Sequence, residues 1–362
     1  MKKEFLKFIK NYIKENKMSV ITIIGAGMMG SALSFPASDN SHDIRIVGTP
    51  LDKDIIEQAK LTNYHITLKR YLPDGIKFYS DNEMEEAIKG SDLIIGGVSS
   101  FGVDWFLKEV LSKIPNSIPV LSVTKGMIDL GDGNMLTYPE YYRKYTNPYK
   151  SLNAIGGACT SYELADKDNT HVCFCGDDIN VLRILKRMLE TDYYHISISQ
   201  DVRGVESAVA LKNIYALAVT LAVGISEKKE GKGVIHYNSQ AALFGQSVRE
   251  MMKLIKILGG NEENIVFGAG DLYVTIFGGR TRKIGVLLGK GFNIDEALDT
   301  LKGVTLESVV IAGRAATAVK ELIGKNKIDR KDFPLLLHVD DIITNKAMVD
   351  IPWDDFEIER EL

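Results

Sequence analysis

Apolar residues follow two rhythms along this chain, and the change falls around residues 198–204. Before it, short apolar runs alternate with amphipathic stretches. The apolar strand opening "MSVITIIGAGMMG" from residue 18, "HDIRIVG" (42–48), "IKFYS" (76–80), "SDLIIGGVS" (91–99) and "SIPVLSVTKG" (117–126) are too short for helices and rich in β-branched residues, so they predict strands. Between them "DNEMEEAIKG" and "VDWFLKEVLSKI" carry helical spacing. "SLNAIGG" (151–157) and "THVCFCGD" (170–177) predict closing strands. Alternating strands and helices predict an α/β domain with a doubly wound, mostly parallel sheet. From residue 200 the pattern is almost wholly helical, which predicts a second, mainly α-helical domain. The expected divisions are an extension over 1–17, a first domain over 18–199 and a helical domain over 200–362. The cleft between the domains is the expected site.

The N-terminal stretch places Phe5, Phe8, Ile9, Tyr12 and Ile13 at helical spacing among lysines. This predicts a short amphipathic helix that packs on the body or adsorbs to a membrane. It lacks the continuous apolar region of a signal peptide. No run of 18 uninterrupted apolar residues occurs, so no membrane span is expected.

Composition narrows the chemistry. Forty-four basic and 48 acidic side chains give a formal charge of −4, which offers no support for nucleic-acid binding but allows a local anion pocket. Three cysteines are too few for a disulfide framework. Cys173 and Cys175 alternate within a predicted strand and read as buried small hydrophobes, so no metal site is expected. That usage is compatible with a reducing cytoplasm.

Four segments carry candidate chemistry. "GAGMMG" sets Gly25, Gly27 and Gly30 in G-x-G-x-x-G spacing after a strand and before a helix, the arrangement that cradles a dinucleotide pyrophosphate. NAD sites usually carry an acid at the end of the second strand. Here that position reads "VGTPLDK", with uncharged Gly48 and Thr49, a late Asp52 and then Lys53, so NAD and NADP both stay open. Lys125 follows a strand at its carboxyl end, where open sheets bind ligands, and is either functional or a capping lysine. Lys212 shares a helix face with Val205, Ala208, Val209, Ala216 and Val219, an apolar stripe around an ammonium. Such a lysine is either structurally paired or chemically required, with a pKa lowered by desolvation. Finally, "VFGAGDLYVTIFGGRTRKIGVLLGKG" (266–291) combines glycines with Asp271, Thr275, Arg280, Thr281 and Arg282. It predicts a phosphate-holding loop or an exposed basic one.

Together, "RYLPDGIKF", "SVTKG" (122–126), "DVRGVESAVALKN" (201–213), "GAGDLYVT" (268–275) and "GRTRKIG" (279–285) resemble the soluble, nicotinamide-dependent glycerol-3-phosphate dehydrogenases from about residue 19 to 320. The resemblance implies an N-terminal Rossmann domain and a helical C-terminal one. It implies that Lys212 is the general acid–base and that Lys125 holds and polarises the substrate oxygen. Asp271 and Thr275 line the site and orient Lys212, Arg280 clamps the substrate phosphate, and Asn213 and Thr281 lie at the substrate pocket. Gly25, Ala26, Gly27, Met28, Met29, Gly30, Thr49, Lys125 and Arg280 are the implied contacts for NAD or NADP. The implied activity interconverts dihydroxyacetone phosphate and sn-glycerol 3-phosphate, supplying the glycerophospholipid backbone, in a cytoplasmic homodimer. Three positions depart from the family pattern. "GACTSYE" replaces Gly-Pro-Ser before Glu163, Gly279 and Thr281 replace Ser and Asn, and the later Glu-Gly pair aligns with Ala312 and Gly313. A dehydrogenase for another phosphorylated or carboxylated hydroxy compound, or a non-catalytic nucleotide sensor, are the alternatives.

Overall fold

The computed structural model describes residues 18–131, 133–147, 150–304 and 306–357. The expected amphipathic helix over 1–17 lies outside the described residues. The chain divides into two compact units. One comprises residues up to Lys125 together with Tyr138–Val202, and the other Gly126–Thr137 together with everything from Arg203 onward.

Twelve strands are described: β1 (Val20–Ile24), β2 (Asp43–Val47), β3 (Tyr64–His65), β4 (Arg70–Tyr71), β5 (Lys77–Tyr79), β6 (Leu93–Gly96), β7 (Val120–Ser122), β8 (Met127–Asp129), β9 (Met135–Thr137), β10 (Leu152–Gly156), β11 (Thr170–Cys175) and β12 (Tyr194–Ser199). The first unit is built on an eight-stranded sheet in the order β12-β11-β10-β7-β6-β1-β2-β5. Every neighbouring pair is parallel except β10–β11, which matches the expected mostly parallel architecture. β1 can sit at its centre because Ile21, Ile23 and Ile24 are buried, as are Ile44, Ile46 and Ile95 beside them. Ile24 pairs with Val47 on one side and Gly96 on the other. Strand order therefore reverses about β1, and the carboxyl ends of β1, β2 and β6 meet at the point where such sheets bind ligands. β3 and β4 form a separate antiparallel pair.

The second unit is helical, apart from the β8–β9 hairpin. The hairpin is tied down when Arg314 Nη1 donates to the Met127 carbonyl (2.7 Å). The 29-residue helix Val202–Glu230 runs through the core, with Val205, Val209, Leu211, Ile214, Leu217 and Leu221 all buried. A helix that is apolar all round must be enclosed. By length and composition this one would also cross a membrane, but 83% of its apolar window is buried inside the fold. Its Tyr215 hydroxyl donates to buried Glu250 Oε2 (3.1 Å). Glu250 also accepts from Gln246 Nε2 and from the first-turn N–H groups of Leu335 and Leu336 in the helix Pro334–Thr344. One carboxyl group thus joins three helices.

Candidate active site

In the first unit the chain leaves β1 through Gly25, whose φ of +108° favours glycine and whose N–H donates to Val47 O (2.9 Å). A Cβ on Gly25 would lie 2.7 Å from the Gly97 carbonyl carbon, and one on Gly30 would lie 2.5 Å from Gly25 O. These two glycines serve close backbone packing. A Cβ on Gly27 would meet nothing nearer than Gly97 O at 3.8 Å, so its bareness leaves space for a ligand. Gly27 is also the N-cap of the helix Met28–Ala32, with no side-chain cap. That helix continues into Ser34–Asp39 through Leu33, which keeps α-helical backbone angles. An open cradle at a helix start fits a dinucleotide pyrophosphate. Met28 is exposed and Met29 half-buried beside it. Gly97 was not singled out in the sequence, where its only signal was the Gly-Gly pair ending "DLIIGG".

At the end of β2, Asp52 turns toward the glycine loop. Its Oδ2 accepts from the Thr49 N–H (2.9 Å), the Thr49 hydroxyl (2.8 Å) and the Ala26 N–H (3.1 Å). The late acid in the sequence is therefore engaged within the protein. Lys53 opens the following helix with a largely exposed side chain, 3.8 Å from Glu57. Beyond β7, half-buried Lys125 donates from Nζ to the Gly157 carbonyl (2.8 Å). The adjacent Thr124 hydroxyl donates to Val98 O (2.7 Å).

In the second unit Lys212 lies on the long helix and faces the helix Ile265–Phe277. Its Nζ donates to Asp271 Oδ1 (2.7 Å) and to Thr275 Oγ1 (2.9 Å). The Thr275 hydroxyl in turn donates to the Asp271 carbonyl (2.6 Å), which leaves its lone pairs toward the ammonium. The Lys212 side chain is 13% exposed and that of Asp271 only 4%, so the ammonium is nearly desolvated yet reachable. Helix packing sets the spacing: a Cβ on Gly268 would lie 2.6 Å from Ala208 O. That close approach is one turn before the lysine on one helix and one turn before Asp271 on the other.

Asn213 follows Lys212 and is half-buried. Arg280 stands in the first turn of the helix Gly279–Gly289 with a half-exposed side chain, its Nη2 3.6 Å from Glu307 Oε2. Thr281 is buried beside it. Arg282 donates to the Ile276 carbonyl (2.7 Å) and so braces the turn. Ala312, which stands where the family pattern has Glu, is wholly buried. The acid beside Arg280 is Glu307, at the start of the helix Glu307–Gly324. Cys173 and Cys175 are buried thiols and Cys159 is half-buried, none of them bridged. Among the described residues no group of three or more His, Cys, Asp or Glu could hold a metal ion.

Comparison with known proteins bears on both units. The family described as NAD-dependent glycerol-3-phosphate dehydrogenase matches over residues 20–181 by its N-terminal part and over 201–353 by its C-terminal part. An NADP(+)-dependent glycerol-3-phosphate dehydrogenase of Archaeoglobus fulgidus is 32% identical over 317 residues, covering 86% of this chain and 92% of that protein. A glycerol-3-phosphate dehydrogenase, NAD(P)+, of Leuconostoc citreum is 30% identical over 308 residues, covering 81% and 85%. The crystal structure of the Coxiella burnetii glycerol-3-phosphate dehydrogenase shares the fold, with a TM-score of 0.75 at 23% identity, covering 94% of this chain and 98% of that one.

Proposed function

This chain belongs to the NAD(P)-dependent glycerol-3-phosphate dehydrogenase family, and from that premise we propose how its own residues divide the work. The reaction interconverts dihydroxyacetone phosphate and sn-glycerol 3-phosphate with NAD(P)(H). A bound nicotinamide supplies or accepts the hydride at the carbon bearing the oxygen. Gly25, Ala26, Gly27, Met28, Met29 and Gly30 form the coenzyme loop, and Gly27 leaves the pyrophosphate room. In the reducing direction Lys212 gives its proton to the oxygen as negative charge develops there. Asp271 holds the ammonium by charge and Thr275 fixes its direction. Lys125 adds positive charge at the same oxygen. Arg280, with Thr281 and the first turn of its helix, clamps the substrate phosphate, and Asn213 lines the substrate pocket. The observation that carries this reading is Lys212 Nζ, nearly desolvated and held by Asp271 and Thr275.

The coenzyme is NADP(H) in preference to NAD(H). Thr49 replaces the usual ribose-binding acid, Asp52 is turned into the loop, and Lys53 supplies the nearby charge; the A. fulgidus relative is named NADP(+)-dependent. The working arrangement is a cytoplasmic homodimer that binds no nucleic acid. The formal charge of −4 and the unbridged cysteines support the location and the lack of a polyanion partner. Residues 18–199 serve mainly the coenzyme, apart from Lys125 at the substrate oxygen and residues 126–137, which belong to the helical unit; 200–362 serve the substrate, and 1–17 are an extension. The test is steady-state reduction of dihydroxyacetone phosphate and a panel of other keto-phosphates with each coenzyme. Preferred turnover of dihydroxyacetone phosphate with NADPH supports the reading. A better substrate in the panel overturns the substrate assignment, and faster turnover with NADH overturns the coenzyme preference.

A further inference from the structure

One buried histidine outside every motif touches the coenzyme loop. His65, in β3, is wholly buried. Its Nδ1 accepts from the Leu68 N–H (3.0 Å) and lies 3.3 Å from the Thr67 hydroxyl. The ring proton therefore sits on Nε2, which donates to the Ala26 carbonyl (2.9 Å). Burial holds the imidazole below its ordinary pKa and favours this neutral tautomer. The pairing of β3 with β4 holds the backbone that carries the ring.

Peptide geometry gives that bond its consequence. The Ala26 carbonyl and the Gly27 N–H belong to one planar, trans peptide group and point in opposite directions. Fixing the carbonyl on the protein's buried side turns the Gly27 N–H outward, at the residue where the space for a Cβ is empty. The preceding peptide is held as well, because the Ala26 N–H donates to Asp52 Oδ2 (3.1 Å). Ala26 is thus gripped at both its backbone polar groups by side chains that lie 26 and 39 residues away in sequence.

We propose that His65 is a positioning residue for the coenzyme, and that by holding the Ala26 carbonyl it aims the Gly27 N–H at the pyrophosphate, with Asp52 steadying the same residue from its other side. The proposal rests on the reading of the glycine loop as a dinucleotide site. It does not depend on which keto-phosphate is reduced.

The test uses the full chain and NADPH itself, with binding followed by nicotinamide fluorescence and kinetics by steady-state assay. Loss of one buried hydrogen bond in His65→Leu should weaken NADPH binding and raise its KM about tenfold, with kcat at saturating NADPH within about twofold of the parent. His65→Gln places an amide donor near the position of Nε2 and should recover most of the affinity. His65→Asn places its donor near Nδ1, out of reach, and should bind as weakly as His65→Leu; this pair carries the comparison if His65→Leu fails to fold. Combining His65→Leu with Asp52→Ala should weaken binding by less than the product of the single effects, because both act through one residue. Parental affinity in both His65→Leu and His65→Asn overturns the proposal, as does a Gln variant no tighter than Asn. A parent that binds neither NADPH nor NADH overturns the dinucleotide reading along with it. A parent that binds NADPH but does not reduce dihydroxyacetone phosphate overturns only the proposed substrate.

Discussion

The glycine loop of the first unit and the lysine cluster of the second solve the same problem with opposite materials. At the loop, the proposed ligand-facing surface is backbone, and the side chains that matter stand behind it. At the cluster, the proposed reactive group is a side chain, and two further side chains, Asp271 and Thr275, hold it. Both depend on an absent Cβ. Gly30 and Gly25 let the loop lie against Gly97, while Gly268 lets its helix lie against Ala208. The lesson is that a bare glycine near a site has two distinct uses, room for a ligand and room for a neighbour, and only the surrounding distances tell them apart. Gly27 is of the first kind; Gly25, Gly30 and Gly268 are of the second.

Substitutions can break that comparison, starting with the largest effect. Lys212→Ala removes the proposed proton donor and should lower kcat by about a thousandfold, within the range for a lost general acid, while NADPH binding stays at the parental value. Unchanged turnover would remove Lys212 from the mechanism. Gly30→Ala forces a methyl group to 2.5 Å from Gly25 O and should cost about 1–3 kcal/mol of stability through overpacking, measured by denaturant titration. Gly27→Ala should leave stability nearly unchanged and weaken only NADPH binding. Equal stability losses in the two would erase the distinction between kinds of glycine. Thr275→Val keeps the shape but deletes an acceptor from Lys212, and should lower kcat about tenfold with NADPH affinity unchanged.

A smaller effect separates the two units by pH. Burial pushes the Glu250 carboxyl up to about 7, against the pull of its hydrogen-bond donors. The folded helical unit then binds more protons than the unfolded chain from about pH 4.5, the ordinary value of this group, up to about 7. Stability therefore falls as pH rises through that window, by up to about 3 kcal/mol from this one group. Glu250→Gln should flatten the pH dependence of thermal melting there. An unchanged slope would assign it to other groups.

Sequence pattern carried the sheet, the helical second half and the glycine loop because each is a local, periodic signal. Lys212 stood out for the same reason, as one charge on an apolar helical stripe. What stayed hidden depended on partners remote in the chain. The β8–β9 hairpin has strands of three residues each and is held by Arg314, 187 residues beyond Met127, so its place with the helical unit left no local mark. Glu307 gains meaning only from the guanidinium of Arg280, which comes from another helix earlier in the chain. His65 sits in "LTNYHITLK", just before the "RYLPDGIKF" motif and outside it, and its bond to Ala26 arises from the fold. Asp52 appeared merely late; the structure shows its Oδ2 accepting from Thr49 and from the Ala26 N–H.

The long helix Val202–Glu230 also sets conditions on how this protein is made. The residues that enclose it include Leu243, Leu254, Leu272, Ile284, Ala315 and Leu336, all later in the chain. On a ribosome the helix emerges first and its cover follows, so a growing chain presents an apolar segment with membrane-span composition to water until that cover arrives. The same holds for any fragment ending soon after residue 230. The enclosure that strips water from Lys212 is completed from the C-terminal side, and the first half of this molecule cannot be made safe by its own sequence alone.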